Sequence, residues 1–329
     1  MGNTTVSLSE IERQSAAALT RAGATATVAA SVARAIRMAE ATGNLICGLY
    51  YLDSYCVQLQ TGRVDGNAKP VVTRPRGATV QVDAAKGFAQ PAFDAGLPEV
   101  VKAVAETGIA SLSIHHSHTC TSLGFFTEQL AQAGLIGIGF TNAPACVAPP
   151  GGARPVLGTN PIAMAIPDGA GGVAFQFDQS TSATAIGKIR VAASKGEQIP
   201  EGWAVDDQGR PTTDAKAALA GSLVSSGGYK GYGFGLMAEM LAAGLTGSLL
   251  SVEAPPLKAP EGPPHDLGQF YIVIDPGAYE GSLAARIEVL AQAVEGQKGA
   301  RLPGRGRSLP DEAHIDADLW ASVRKLAGA

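Results

Sequence analysis

The stretch "PPGGARPVLGTNPIAMAIP", Pro149 to Pro167, decides how the middle of the chain is read. Its prolines and glycines break any helix, because proline lacks a backbone donor and glycine loses the most backbone entropy. The preceding segment, Gln129 to Ala153, carries no charge, but "TNAPACVAPPGG" within it would interrupt a membrane-spanning helix repeatedly. A buried strand, "LIGIGFTN", followed by loops fits better. "VLGTNPIAMAIP" and "GVAFQFDQSTS" then read as strand-like runs. "IASLSI" upstream and "GQFYIVIDP" downstream are two more strands.

Helices surround this middle. Ser7 and Glu10 have the spacing of a capping box, with Val6 and Ile11 at the staple positions. A second helix is expected from near Thr25 to about Met38, with Val28, Val32 and Ile36 on one face. "AKGFAQPAFDAGLPEVVKAVAETG" and Leu123 to Ala133 read as helical, as do "GLMAEMLAAG", "SLAARIEVLAQAVEG" and "DADLWASVRKLAG". Strands in the middle with helices at both ends give an α/β class. The proline-rich "EAPPLKAPEGPPHD" is expected to be a surface loop.

The chain has 329 residues, 46% hydrophobic and 16% charged, which suits a globular protein with a sizeable core. A net charge of −4 offers no broad basic face, so no nucleic-acid partner is expected. The first residues have neither a basic nor an apolar leader pattern, so a cytoplasmic protein without membrane contact is expected. Glycine, at 41 residues, is close to double its usual share of about 7%, implying many tight turns and close backbone approaches. The four cysteines form no CxxC pair and are expected to be reduced and mostly buried.

"SIHHSHTCTSLGFF", Ser113 to Phe126, holds three of the five histidines. His115 and His116 are consecutive on a strand and should point to opposite faces. At most two of the three histidines would converge, so no metal site is expected. No GxGxxG follows a strand and no Walker A loop is present, so motifs alone do not indicate a nucleotide fold.

Eight blocks in order carry a resemblance. They are "LQTGRVDG", "SHT", "GLIGIGFTNAPACVAPPGG", "LGTNP", "FDQSTSATAIGKI", "IPEGWAVDDQGRPTTD", "SSGGYKGYG" and "LAAGLTG". With them the chain resembles the malate/L-lactate dehydrogenase-like family of NAD(P)-dependent oxidoreductases, distinct from the Rossmann-type lactate and malate dehydrogenases. Within that family it looks most like the Δ1-piperideine-2-carboxylate/Δ1-pyrroline-2-carboxylate reductases. The resemblance implies a non-Rossmann NAD(P)-binding α/β fold with a central mixed sheet and helical regions from both termini. It implies three parts: 1–75, the helical start of a substrate domain; 76–250, the NAD(P)-binding domain; and 251–329, returning to the first part. A homodimer acting on a small molecule is also implied.

The family pattern breaks at one place. Members carry a Ser-His-Gly segment with an arginine three residues after the glycine, for proton donation and for pairing with a substrate carboxylate. In "TGNLICGLYYLDSY" those positions hold Ile46, Cys47 and Tyr51, and only Gly48 is kept. A protonated imine already carries its proton, so its reduction needs only hydride, and the missing histidine is then less necessary. The expected activity is therefore NADPH-dependent reduction of a cyclic 2-imino acid, with NAD as the other cofactor candidate. The alternatives are a 2-hydroxy acid dehydrogenase of malate, lactate or sulfolactate type, and a catalytically silent nucleotide-binding homologue.

Cys47, Tyr51, His118 and Lys188 are the candidate catalytic residues. By the resemblance, His118 with Thr119, Cys120, Thr121 and Ser122 contacts the cofactor at a helix start, against the bland reading of a buried histidine. Thr159 and Asn160 either line the pocket or bond the local backbone. Asp178, before Ser180, Thr181 and Ser182, either orients the cofactor or caps a helix. Lys188 and Lys230 are anion anchors or solvated surface lysines. "RLPGRGR", with Arg301, Pro303, Gly304, Arg305 and Arg307, either holds the 2′-phosphate of NADP or is an exposed basic loop.

Overall fold

The computed structural model describes residues 2–329. The chain starts with β1 (Asn3–Ser7), α1 (Leu8–Arg21), α2 (Ala26–Ala41) and α3 (Leu52–Gln60). The hairpin β2 (Val71–Arg76) and β3 (Thr79–Asp83) follows, then α4 (Ala89–Thr107), β4 (Ile109–Ser117), α5 (Gly124–Gln132) and β5 (Ile136–Thr141). Next come β6 (Ile162–Pro167), β7 (Val173–Gln179), α6 (Ile186–Lys195), β8 (Ala204–Val205), β9 (Pro211–Thr212), α7 (Ala215–Ala220), β10 (Ser222–Leu223) and α8 (Tyr229–Glu239). The chain closes with β11 (Leu267–Ile274), α9 (Leu283–Glu295), β12 (Glu312–Asp316) and α10 (Ala317–Ala327).

Seven strands make one mixed sheet in the order β2-β3-β4-β11-β5-β6-β7. Only β3 and β4 run parallel; the other neighbours are antiparallel. Phe93, Val100, Leu112, Phe126, Leu130 and Tyr271 are among the side chains of the core between the sheet and α4 and α5. The expected mixed sheet is therefore present. The middle strand of the sheet, β11, lies within 251–329. Its residues pair on both edges, Tyr271 lying opposite Leu112 on one side and Gly139 on the other. From this part β12 and α10 go back to the start, where they pack with β1, α1 and α3 around Ile11, Leu19, Leu52 and Tyr55.

Local signals worked in part. Thr25 caps α2, its hydroxyl accepting from the Val28 N–H at 3.3 Å. Ser7 accepts from the Glu10 N–H at 3.2 Å, but the Glu10 carboxylate takes Arg13 and Gln14 instead of reaching back. Half of the capping box forms, and Ser7 is also the end of the β1–β12 ribbon, opposite Glu312.

The proline-rich loop lies at the surface, as expected, but it is pinned. Prolines offer carbonyls but no N–H, and one guanidinium supplies the donors. Arg63, 2% exposed, donates from Nε to the Pro263 carbonyl (2.9 Å), from Nη1 to Ala259 (2.5 Å) and from Nη2 to Pro256 (2.9 Å). Gln58 adds bonds to the Leu257 and Ala259 carbonyls at 2.7 and 2.8 Å. The loop is thereby pinned to the end of α3 just before the chain enters β11. Burial lowers the Arg63 pKa from its usual value. Replacing Arg63 by Met should cost about 3 kcal/mol or more, since it strands several buried carbonyls. Arg63→Lys should also destabilise, because one ammonium cannot span the same acceptors. Urea unfolding measures both; a loss under about 1 kcal/mol would mean that Gln58 and Thr61 hold the loop by themselves.

Candidate active site

Two short 3-10 turns, Leu45–Cys47 and Leu49–Tyr51, follow α2. Gly48 lies between them because a Cβ there would collide with the buried Glu40 carboxylate, which accepts the Leu49 N–H at 2.7 Å. That contact explains why this glycine stands in a segment that otherwise departs from the family pattern. The turns face the start of α5, the end of β7 and the start of α6. Asn44 donates to the Ser122 hydroxyl at 3.4 Å, and Ile46 lies close against Gly187.

Asp178 organises this cleft. Its Oδ2 accepts from the Gly124 N–H at 2.8 Å and from the Ser122 hydroxyl at 3.2 Å. It therefore caps α5, an earlier helix in the chain rather than the next one, and its negative charge meets the positive helix end. The cleft walls push its carboxyl up from the usual value against these bonds, although one side stays open to solvent. A phosphate at the Thr119–Ser122 helix start would meet this carboxylate, whereas a hydroxyl or an amide would find an acceptor there.

Cys47 and Tyr51 do come to the cleft. Burial, with a contribution from the Asp178 charge, pushes the Cys47 thiol up to about 12. Burial pushes the Tyr51 phenol up to about 12 as well, opposed by the nearby Arg190 guanidinium. Both groups stay protonated at neutral pH and can donate hydrogen bonds. Tyr51 stacks on Tyr55 at 5.8 Å between ring centroids. Lys258, from the proline-rich loop, lies 3.3 Å from the Tyr50 ring centroid and 5.2 Å from that of Tyr51. Two cations thus flank the tyrosine that stands where the family has arginine. Sequence reasoning missed both. Arg190 lies two residues after Lys188, and Lys258 had no local signal.

Other expected residues are placed differently. His118 is 2% exposed, stacked on His265 at 3.7 Å and edged by Tyr55 and Phe88. Burial holds it well below the usual histidine range, so it is a neutral ring in the core, and its Nε2 has no hydrogen-bond partner among the described residues. His265 Nδ1 accepts the Thr119 N–H at 3.3 Å and its Nε2 bonds the Leu257 carbonyl at 3.0 Å, which sets its tautomer. Cys120 is buried, and burial raises its thiol far above the usual range. Thr121 adopts a left-handed φ of +63° beside the cleft.

Asn160 is fully buried and donates to Glu239 at 2.6 Å and to the Gly235 carbonyl at 3.1 Å. It bonds internal groups instead of lining a pocket. The Thr159 carbonyl accepts from the Thr181 N–H at 2.9 Å, and the buried Ser182 hydroxyl donates to the Thr184 carbonyl at 2.8 Å. Ser180 is exposed. Lys188 is exposed, 5.9 Å from the Trp203 ring centroid. Arg305 pairs with Glu288 at 2.7 Å and Arg307 with Glu128 at 2.6 Å, so neither is held ready for a phosphate. Pro303 accepts the Gln176 N–H, and Gly304 packs against Gln176 where a Cβ would clash. Of the three arginines, Arg301 is exposed and has no ion pair among the described residues.

Lys230 is exposed in the first turn of α8, whose N-terminus has no side-chain cap and no acidic residue. Gly227 and Gly228, both at φ +65°, lead into it. Gly228 and Ser225 also line a pocket with Pro149 to Gly152. Here an anion meets free helix-end N–H groups, a lysine and no carboxylate. The four cysteines are free, Cys56 and Cys120 buried and Cys47 and Cys146 partly so.

The family described as malate/L-lactate dehydrogenase matches residues 6–316. A (2R)-3-sulfolactate dehydrogenase (NADP(+)) of Chromohalobacter salexigens is 41% identical over 302 residues, 92% of this chain and 90% of that protein. A Δ1-pyrroline-2-carboxylate reductase of Ancylobacter novellus is 38% identical over 331 residues, 98% of this chain and 97% of the other. The solved structure of Δ1-piperideine-2-carboxylate reductase from Pseudomonas syringae is similar with a TM-score of 0.90 at 35% identity, over 98% of this chain and 99% of that one.

The raised Cys47 thiol has a direct consequence. Iodoacetamide at pH 8 should label Cys47 at least about tenfold more slowly than a free cysteine, and the rate should still rise above pH 10. Peptide mass spectrometry follows this; fast labelling that levels off near pH 9 would show that the thiolate is stabilised.

Proposed function

The chain belongs to the malate/L-lactate dehydrogenase family of NAD(P)-dependent oxidoreductases, and from that premise we propose that it reduces a small cyclic 2-imino acid with NADPH. The observation that carries the reading is the cleft itself. It pairs two neutral donors, Cys47 and Tyr51, with two cations, Arg190 and Lys258, and has no histidine acid. A substrate carboxylate is recognised by the cations, which take the role of the family arginine. The C=N⁺ bond needs no proton on nitrogen, so protonated Cys47 and Tyr51 only orient it.

The donors present fit the cofactor. The uncapped α8 start with Gly227, Gly228 and Lys230 suits a phosphate. Asp178, Ser122 and Asn44, at the cleft, suit ribose hydroxyls or an amide. A bound nicotinamide would supply the hydride; the chain's residues hold and orient the substrate. Phe234, Met237, Met240 and Leu245 form an exposed apolar face on and after α8, which we assign to a homodimer contact. A cytoplasmic location belongs to the same reading. No helix among the described residues is long and apolar enough to cross a membrane.

The second reading is a 2-hydroxy acid dehydrogenase, favoured by the likeness to the sulfolactate dehydrogenase. There Cys47 or Tyr51 must give the proton.

NADPH consumption with Δ1-pyrroline-2-carboxylate and Δ1-piperideine-2-carboxylate, beside pyruvate, oxaloacetate and sulfopyruvate, separates the two. Turnover of the imines, with oxo acids about 100-fold or more poorer in kcat/KM, is expected; the reverse order sinks the imine reading. Tight NADPH binding without turnover of any of these substrates would instead favour the silent homologue. Arg190→Ala should raise the substrate KM by about tenfold or more, and an unchanged KM removes it as the anchor. Light scattering should give twice the chain mass, and Phe234→Asp should yield monomers; a monomeric parent protein overturns the dimer assignment.

A further inference from the structure

The end of β4 holds an arrangement that the oxidoreductase reading does not use. Strand alternation would send His115 and His116 to opposite faces. His116 instead has φ +51°, a left-handed conformation that turns the chain and brings the two rings to 4.7 Å between centroids. The opposite-face expectation fails for this reason. Asp83, the last residue of β3, lies opposite His115 in the parallel ladder. Its Oδ1 is 3.1 Å from His116 Nδ1 and its Oδ2 is 3.9 Å from His115 Nε2. One ligand atom from each of the three residues lies within 4.8 Å of the others, and all three residues are partly buried.

An independent observation comes from the segment entering β11. Asp266 precedes Leu267, the register partner of Ser117. Its φ is +49°, and its Oδ1 is buried with no hydrogen-bond partner. A carboxylate oxygen left without a donor is costly unless a cation takes it. Asp266 is close enough to His115 for its charge to favour the imidazolium, against the larger effect of burial.

We propose that Asp83, His115 and His116 form a binding site for one divalent transition-metal ion, with zinc the ion best suited and water completing its coordination. Two imidazoles exclude calcium and magnesium, which take oxygen ligands. Neighbouring ligands of a tetrahedral zinc with arms of about 2.0–2.1 Å stand about 3.3 Å apart, between the two Asp83 separations observed here. Small side-chain rotations close the site. The Ala85 N–H, donating to Asp83 Oδ1 at 2.8 Å, already orients the carboxylate. All three side-chain ligands come from the one chain, and none lies in the cleft, so the ion is a clip. It would tie the end of β3 to the end of β4 and offset the left-handed strain at His116.

The test uses the full-length protein stripped with EDTA and exchanged into metal-free buffer at pH 7.5. Zinc chloride titrated by calorimetry should bind one ion per chain in the micromolar range or tighter, and should raise the Tm. Cobalt(II) should give the visible absorption of a tetrahedral site without the sulfur charge-transfer band of a thiolate ligand. His115→Ala, His116→Ala and Asp83→Asn should each weaken zinc binding by at least about tenfold, with unchanged circular dichroism. No zinc binding tighter than millimolar overturns the proposal. So does binding that survives in the His115→Ala/His116→Ala double variant, or a cobalt–thiolate band in the parent protein, which needs no variant to fold.

Discussion

Arg63 is the constraint from which the architecture follows. A proline-rich segment has many acceptors and few donors, so it can satisfy only a few of its carbonyls by itself. Pinning it therefore requires donors from elsewhere, and a guanidinium presents five in a fixed fork. Arg63 meets the Pro256, Ala259 and Pro263 carbonyls from the end of α3. The chain that leaves this loop becomes β11, the middle strand of the sheet. One buried cation thus joins the N-terminal helices to the strand on which both halves of the sheet depend. The same loop brings Lys258 to the cleft and His265 onto His118. Support and site share one segment.

The second ordering element is a buried acid without a cation. Glu239 accepts from the Ser251 N–H, the Ser251 hydroxyl and the Asn160 amide. Hydrogen bonds alone satisfy it, and they lock α8 to the turn before β6. Five residues of π-helix, Met240–Gly244, follow directly. They fit against β11 only because Gly268 has no Cβ to strike the Ala242 carbonyl. Asn160 looks like a pocket residue in "LGTNP", but its amide is committed inside this network.

Asp178 shows how an ambiguity of sequence resolves. A carboxylate at a strand end can orient a ligand or cap a helix. It caps α5, placing its charge at that helix end while keeping one side open to the cleft. The anion-friendly end is then that of α8, where Lys230 stands and no acid does. Of the two lysines weighed equally in the sequence, Lys230 lies at such a place and Lys188 rests by Trp203. The "RLPGRGR" loop looked basic, but Glu128 and Glu288 take two of its three arginines.

Short-range features were legible because they are written in adjacent residues. The start of α2 near Thr25, the helices and strands of the middle, the α/β class, and the blocks that mark the family all come from local spacing and order. The gap at Ile46, Cys47 and Tyr51 was equally plain. What stands in that gap was not, because Arg190 and Lys258 lie more than a hundred residues away and approach Tyr51 only through folding. The position of β11, the burial of His118, and the turn that sets His115 beside His116 also depend on tertiary packing. A single left-handed φ overrides strand alternation, and a neighbouring ring or carboxylate decides whether a histidine is core, ligand or acid. The residues alone determined which chemical groups the protein has; their charge states and partners were set by which distant groups the fold buried together.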